Sequence, residues 1–257
     1  MHSFVINNTI FTGKFLIYES QMLSTNIFAR NLLAKTKPID GSVIITDEQT
    51  QGKGQGQNQW LTESHQNLTF SIIYDTSFLK AKNQFYLSAA IALGIRNALY
   101  HQIEDTSLCI KWPNDIMIND KKLGGILIEN SVLGNYLKYS IIGIGINVNQ
   151  EVFDNLPFAT SLYNQGFQNI SREKLLEEIC SQIESQFFKL KSGKYLEILK
   201  SYNEHLFKKH QSFKFKKDEE VMEGIVQGVN DFGQLLVQLN DEVKTFNFGE
   251  IKWLLSD

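Results

Sequence analysis

Cysteine is scarce in this chain: Cys109 and Cys180 are the only two in 257 residues, and they form neither a disulfide framework nor a metal site. Both are expected to be reduced and buried, as in a cytosol. Long apolar runs are missing too. No stretch reaches the roughly eighteen residues that a bilayer span needs, and the longest aliphatic segments, such as 141–148, are strand-sized. At the N-terminus no charged leader precedes an apolar core, and Gly13 and Lys14 interrupt the sequence there, which argues against a signal peptide. Positive charge is not in excess either. Lys plus Arg number 25 against 28 Asp plus Glu, a net charge of -3, so the chain is not built chiefly to grip nucleic acid or an anionic membrane. The expectation is a soluble, cytoplasmic protein whose partners include neither. There is also no internal repeat, no Ser/His/Asp order and no His/Cys cluster with metal-ligand spacing. The five histidines stand at scattered positions.

What the chain has is length for one large domain and one small one, with 42% hydrophobic residues to build a core unaided by metal or disulfide. A helix is expected from Ser24 to about Lys35, with Ser24 as N-cap and Phe28–Leu32 and Ala29–Leu33 as i,i+4 pairs. The β-branched run Ser42-Val43-Ile44-Ile45-Thr46 and the segment 68–74 read as strands. A helix over about 82–100 carries Ala89, Ala90, Ala92 and Gly94, which suit close packing on a sheet. Strands follow at about 107–111, 116–118, 123–129 and 137–146, with turns at 119–121 and 133–135. Residues 171–190 form an amphipathic helix capped by Ser171, and a second helix is expected over about 195–207. Composition shifts near Lys208, and short strands at 213–216, 221–229, 234–239 and 243–248 suggest a small closing β-barrel.

Three groups could carry chemistry. The loop 49–59, QTQGKGQGQNQ, has no large apolar side chain and is expected to be flexible. Its alternating glycines can turn backbone N–H groups toward an anion, although the spacing is not that of a P-loop and a solvated connector would look similar. Trp60, just beyond, offers a face for a purine or fills the core. The second group is Lys111-Trp112-Pro113-Asn114-Asp115, followed by a hairpin that returns with Lys122-Leu123-Gly124-Gly125. Pro113 keeps Trp112 out of the helical region. A two-residue turn at Asn119-Asp120 would set Lys122 on the face of Asp115, and a three-residue turn would set it opposite. The paired glycines allow close approach to the backbone. The third group, Gly143-Ile144-Gly145-Ile146-Asn147-Val148-Asn149, lacks a third glycine for a dinucleotide fingerprint. Its asparagines cap a turn or meet a nucleotide. Lysines, amides and glycines without a nucleophile suit activation of a carboxylate by a nucleotide, with charge stabilisation and positioning supplying the rate.

On these residues the chain resembles the biotin–protein ligases. KWPNDIMINDKKLGGILIE at 111–129 follows that family's central signature, and Ser24-Thr25-Asn26, Gln49, the glycine loop ending at Trp60, and GIGINVN at 143–149 fall in the family's order. GIVQGVNDFGQLLVQL and Phe248-Gly249-Glu250-Ile251 resemble its C-terminal module. The resemblance implies an α+β fold: a mixed-sheet catalytic domain of the class II aminoacyl-tRNA synthetase/biotin synthetase-like type over 1–207, and an SH3-like β-barrel over 208–257. It implies a biotin–[acetyl-CoA-carboxylase] ligase, in which biotin and MgATP give biotinyl-5′-adenylate and the biotinyl group passes to a lysine of a biotin carboxyl carrier domain. Biotin is then substrate, ATP and Mg²⁺ are co-substrate, and no cofactor is tightly held. By the same resemblance, Ser24, Thr25, Asn26 and Gln49 serve the biotin head, and Gly52, Lys53 and Gly54 the valeryl chain and phosphate. Trp60 would cover the adenine side, and Gly124 and Gly125 would let the ligand approach the backbone. Lys122 would bind the reacting carboxylate and phosphate oxygens. Asp115 would orient the incoming lysine or take its proton, supported by Lys111 and Asn114, and Asn147 would lie near the adenosine or metal-bound phosphate.

Two departures stand out. Lys53 is the loop's only cation, with Gln55, Gln57 and Asn58 where many family members carry arginines. The residues ahead of Ser24 are too few for the helix-turn-helix of repressor-type members, which favours a ligase without operator function. A lipoate–protein ligase of the same fold and a non-catalytic biotin-binding regulator are the competing readings. The KWPND and KLGGILIE segments weigh against the first, and retention of Lys122 against the second. A homodimer is left open.

Overall fold

The computed structural model describes residues 4–56 and 58–255. Its larger part is a seven-stranded sheet built from β1 (Leu16–Met22), β2 (Ser42–Gln49), β3 (Leu68–Asp75), β4 (Cys109–Lys111), β5 (Asp115–Ile118), β6 (Lys121–Leu133) and β7 (Tyr136–Ile146), in the order β1-β2-β3-β7-β6-β5-β4. Only β1 and β2 run parallel; the other neighbours are antiparallel. The chain therefore has the expected mixed-sheet α+β class. β1 was not expected: LIYESQM is a largely exposed edge strand, so it shows no alternation of apolar and polar residues.

Alternation along the central strands assigns the two faces of the sheet. Leu68, Phe70, Ile72 and Tyr74 of β3 join Ile142, Ile144 and Ile146 of β7 in the main core. The helices α2 (Gln84–Ile103) and α3 (Arg172–Lys191) contribute Leu87, Ile91, Ile179 and Ile183 to the same core. On the other face Ile44, Ile73 and Ile141 receive Ala29 of α1 (Thr25–Lys35). Along that face the large side chains stop. Thr69 pairs with Gly145, Gly145 with Gly125, and Gly125 with Asp115, making one cross-strand row of mostly small residues. Gly94 of α2 departs from its expected part in packing on the sheet. A methyl there would come within 2.7 Å of the Ile183 backbone, so the glycine lets α3 cross closely instead.

Ser171 caps α3 as expected, accepting a bond from the Lys174 N–H at 3.2 Å. Ser24 occupies the N-cap position of α1, but its side chain makes no capping bond. The helix α4 (Tyr195–Glu204) ends before the expected Phe207, because the chain leaves it to pair with β4. Ile110 N–H donates to His205 O at 2.8 Å and Phe207 N–H to Ile110 O at 2.9 Å.

The remaining strands, β8 (Ser212–Lys217), β9 (Glu220–Val229), β10 (Leu235–Leu239), β11 (Glu242–Phe246) and β12 (Lys252–Trp253), form a separate antiparallel sheet in the order β11-β10-β9-β8-β12. It is seated against the larger part where Trp112 Nε1 donates to Gly233 O at 2.9 Å and the Trp112 and Phe248 rings meet edge-on. Both cysteines are free; Cys180 is buried and Cys109 partly so. Among the described residues no helix is long and apolar enough to cross a membrane.

Candidate functional site

A cavity of about 560 Å³ opens over the row of small residues. Its charged centre follows from two tight hairpins. Between β4 and β5, three residues, Trp112-Pro113-Asn114, turn the chain so that Lys111 lies directly opposite Asp115, with the Trp112–Pro113 peptide cis. Between β5 and β6, Asn119 and Asp120 both take positive φ, 46° and 63°, a conformation that Asn and Asp tolerate and that a two-residue hairpin turn requires. Met117 consequently pairs with Lys122. Of the two registers open from sequence, this one puts Lys122 on the face of Asp115.

Asp115 then bridges two cations. Its Oδ2 receives Lys111 Nζ at 2.6 Å and its Oδ1 receives Lys122 Nζ at 2.6 Å. Burial alone would raise this carboxyl, but the ammonium charges of Lys111 and Lys122, with the hydrogen bonds they donate, outweigh it and hold Asp115 below the usual carboxylate range. It is therefore an ionised acceptor committed on both oxygens. Asn114 steadies this hairpin: its Nδ2 donates to Ile126 O and its own carbonyl accepts from the Ile126 N–H at 3.1 Å.

At the other end of the cavity, the start of α1 supplies Ser24, Thr25 and Asn26. The Thr25 N–H donates to Gln49 Oε1 at 2.8 Å, and the Thr25 hydroxyl reaches the same atom at 3.2 Å. A backbone donor demands an acceptor, so this contact fixes which way the Gln49 amide points. Asn26 is spent on scaffolding. Its Oδ1 accepts from Ser71 Oγ at 2.7 Å, and its Nδ2 donates to Leu127 O at 3.3 Å and Glu129 Oε2 at 3.0 Å. Gly143 is the seat for that amide, since a methyl there would meet Asn26 Nδ2 at 3.1 Å.

The glycine loop folds as a small hairpin against the cavity. Lys53 bridges Gln59, the Gly54 N–H donates to Asn58 O at 2.8 Å, and the Trp60 N–H donates to Gly52 O at 3.0 Å. Lys53, Gly54, Gln55 and Asn58 line the cavity; Gln57 lies outside the described residues. The Trp60 indole rests on the sheet itself. A methyl at Gly145 would come within 2.5 Å of its Cζ2, and one at Gly125 within 3.4 Å of its Cζ3 and of Lys122 Nζ. Trp60 is thus a wall of the cavity rather than a core tryptophan.

Three expected residues are not in the lining. Asn147 is buried, with Nδ2 donating to Thr160 O at 2.9 Å, so its side chain anchors the following loop. Gly52 is packed against the Trp60 backbone and the Gln49 amide. Gly124 points to the opposite face, where a methyl would meet Ile146 Cδ1 at 2.6 Å and Gly145 O at 2.8 Å. Only Gly125 of the pair faces the cavity. Sequence reasoning missed several lining residues: Thr69, and Phe248, Ile251, Lys252 and Trp253 from the C-terminal sheet. Phe248 and Ile251 belong to the segment that resembles the family's C-terminal module, but nothing local marks any of the four as cavity wall, because only the docking of the second sheet brings them there.

Comparison with known proteins gives consistent results. Residues 18–147 match the Biotin/lipoate A/B protein ligase family, and residues 213–252 match the Biotin protein ligase C terminal domain. The chain is 29% identical over 248 residues to the bifunctional ligase/repressor BirA of Bacillus subtilis, covering 93% of this chain and 74% of that protein. It is 26% identical over 176 residues to the biotin–[acetyl-CoA-carboxylase] ligase of Mycobacterium tuberculosis, covering 68% of this chain and 64% of that one. The solved structure of the biotin protein ligase from Aquifex aeolicus in complex with biotin and ATP superposes with a TM-score of 0.79 at 26% identity, covering 95% of this chain and all of that one.

Proposed function

The chain belongs to the Biotin/lipoate A/B protein ligase family, and from that premise we propose that it attaches biotin to a lysine of a biotin carboxyl carrier domain through biotinyl-5′-adenylate. In the first half-reaction a carboxylate oxygen of biotin attacks the α-phosphorus of ATP, the bond to the bridging oxygen breaks, and pyrophosphate leaves. In the second, the neutral amine of the acceptor lysine attacks the acyl carbon, AMP departs with the bonding electrons, and the proton lost by the nitrogen passes to solvent water. Neither half needs a protein nucleophile. Both need negative charge stabilised and two substrates held in contact.

The observation that carries this reading is the Lys111–Asp115–Lys122 pairing at the edge of a glycine floor. Lys122 is the more open of the two cations, with 38% of its side chain exposed against 15% for Lys111. It is the group we assign to the reacting carboxylate and phosphate oxygens. Asp115, held ionised and low, is a poor proton acceptor, so its role here is to aim Lys122 and then to orient the incoming amine. Lys111 keeps the other oxygen of Asp115 occupied. Ser24, Thr25 and Gln49 take the ureido end of biotin, which offers both donors and acceptors. Lys53 meets the phosphate, with Gly54 holding the loop hairpin beside it, and Trp60 the adenine. Asn26 and Asn114 line the cavity and brace its walls, whereas Asn147, Gly52 and Gly124 support it from outside the lining.

Mg²⁺ enters this scheme as part of the MgATP substrate. Among the described residues no three of His, Cys, Asp or Glu cluster as a metal cage, and the one carboxylate of the charged centre is already held by two lysines. Magnesium commonly rides on substrate phosphates with few protein ligands. The test is incubation with biotin, MgATP and a carrier domain. The expected result is a mass gain of one biotinyl group on the carrier, with pyrophosphate released. Absence of pyrophosphate, or transfer of lipoate in its place, overturns the proposal.

A further inference from the structure

Three hydroxyl-bearing residues on neighbouring strands share the cavity face. Thr46 Oγ1 donates to Glu48 O at 3.0 Å, and Ser71 Oγ lies 2.7 Å from both Thr25 Oγ1 and Asn26 Oδ1. Thr69 stands between them, opposite Thr46 on one side and Gly145 on the other. Thr69 lines the cavity and is 4% exposed, yet its Oγ1 is buried with no hydrogen-bond partner among the described residues. A buried hydroxyl without a partner costs stability, and valine would fill the same space without that cost. The Trp60 Nε1, on the indole that rests over Gly145, is buried and partnerless as well. Two unsatisfied polar atoms over one glycine floor describe a site whose partner is a ligand.

We propose that Thr69 is a further biotin-binding residue, its hydroxyl hydrogen-bonding the heteroatom-bearing ring system of biotin once the Trp60 indole lifts from Gly145. This rests on the ligase reading, which sets the biotin head at Thr25 and Gln49 and the reacting carboxylate at Lys122. Thr69 lies on the path between those points. Two residues along its own strand, Ser71 bonds Thr25; across the sheet, Gly145 and Gly125 lead to the Lys122 ammonium. A molecule that spans from Thr25 to Lys122 crosses this row. A hydroxyl can donate or accept, so it can serve ring N–H, carbonyl or sulfur.

The experiment measures binding of biotin and of ATP, separately and by calorimetry, to the wild type, Thr69→Val, Thr69→Ser and Thr69→Ala, with thermal melting of each ligand-free protein. Thr69→Val should weaken biotin about tenfold, leave ATP unchanged and melt no lower than wild type. Thr69→Ser should bind biotin within about twofold of wild type. Thr69→Ala repeats the loss of the oxygen should valine not be accommodated. Wild-type biotin affinity in both Thr69→Val and Thr69→Ala overturns the assignment, as does a joint fall in melting temperature and in both affinities, which marks a structural role. A wild type that binds no biotin sinks the ligase reading and this inference with it, whereas a wild type that binds while the variants match it sinks the inference alone.

Discussion

Replacing Asp115 with asparagine removes one charge and leaves two. In the wild type the carboxylate side chain is 14% exposed and holds Lys111 Nζ and Lys122 Nζ at 2.6 Å on its two oxygens. The ammonium nitrogens are thereby kept roughly 5–7 Å apart, and at an effective dielectric of about 20 two such charges repel by about 3 kcal/mol. Lys122 is 38% exposed, so solvent screening reduces that to about 1–2 kcal/mol. The variant also loses one of the two charge-assisted hydrogen bonds, since the new amide nitrogen cannot accept from a lysine, and weakens the other to an ammonium–amide bond; breaking a buried ion pair typically costs about 3–5 kcal/mol. With one partner partly solvated, about 3 kcal/mol is the expected destabilisation of Asp115→Asn in urea unfolding at neutral pH. Adding Lys111→Met should recover part of it by removing the more buried of the stranded cations. The pH dependence has a fixed sign. Asp115 is depressed below its ordinary value of 3.8, so its contribution is fully present above that value and is lost as pH falls below it. The gap between wild type and Asp115→Asn should therefore narrow in acid. A cost under about 0.5 kcal/mol, or a gap that stays constant down to low pH, would refute the bridged geometry.

Lys122→Ala should cut pyrophosphate release about a hundredfold or more, while the ligand-free protein loses less stability than Asp115→Asn does, because Asp115 keeps Lys111 as its partner; near-normal release removes Lys122 from the chemistry. Gly145→Ala should reduce biotin affinity with little loss of stability, because its methyl meets the Trp60 indole, which can turn away. Gly124→Ala should instead cost about 1–3 kcal/mol in urea unfolding, because its methyl meets the fixed Gly145 carbonyl at 2.8 Å; equal effects of the two glycine substitutions would contradict the assigned faces. Lys53→Ala should speed dissociation of preformed biotinyl-adenylate, and Gln55→Arg should slow it about tenfold if the added bond supplies about 1.4 kcal/mol. Both rates are read by chasing labelled adenylate with unlabelled biotin and ATP.

Much of this architecture is written locally. The Ile and Val runs of β2, β3 and β7 commit those segments to strands whichever neighbour they meet, and Ser171 with the apolar face through Leu176, Ile179 and Ile183 commits α3. β1 escapes because an edge strand buries little and its pattern blurs. β12 escapes because two residues carry no pattern at all. The end of α4 at Glu204 depends on a partner elsewhere, since β4 draws His205 and Phe207 out of the helix. The cavity wall from the C-terminal sheet is invisible for the same reason. Trp112 meets Gly233 and Phe248 only because the two sheets are docked against each other.

The site motif shows where local reading stops. KWPNDIMINDKKLGG sets lysines, two aspartates and paired glycines within fifteen residues, and residue type alone gives each an equal claim on the ligand. Which of them faces the cavity is decided by parity, and parity by two backbone events. The turn at Asn119-Asp120 brings Lys122 opposite Met117 and hence beside Asp115. A register shift between Ile116 and Met117 then moves the pairing from Lys122 to Gly124, leaving Leu123 as the extra residue. Without that shift Gly124 would share the face of Lys122 and Asp115, and Gly125 would point into the core. With it, Gly125 joins Gly145 as open floor under Lys122, while Gly124 becomes the close contact that lets Ile146 pack. The ammonium that we assign to the reacting oxygens thus stands over bare backbone rather than over a side chain. An extended ligand can reach it along the sheet only because one residue was left unpaired.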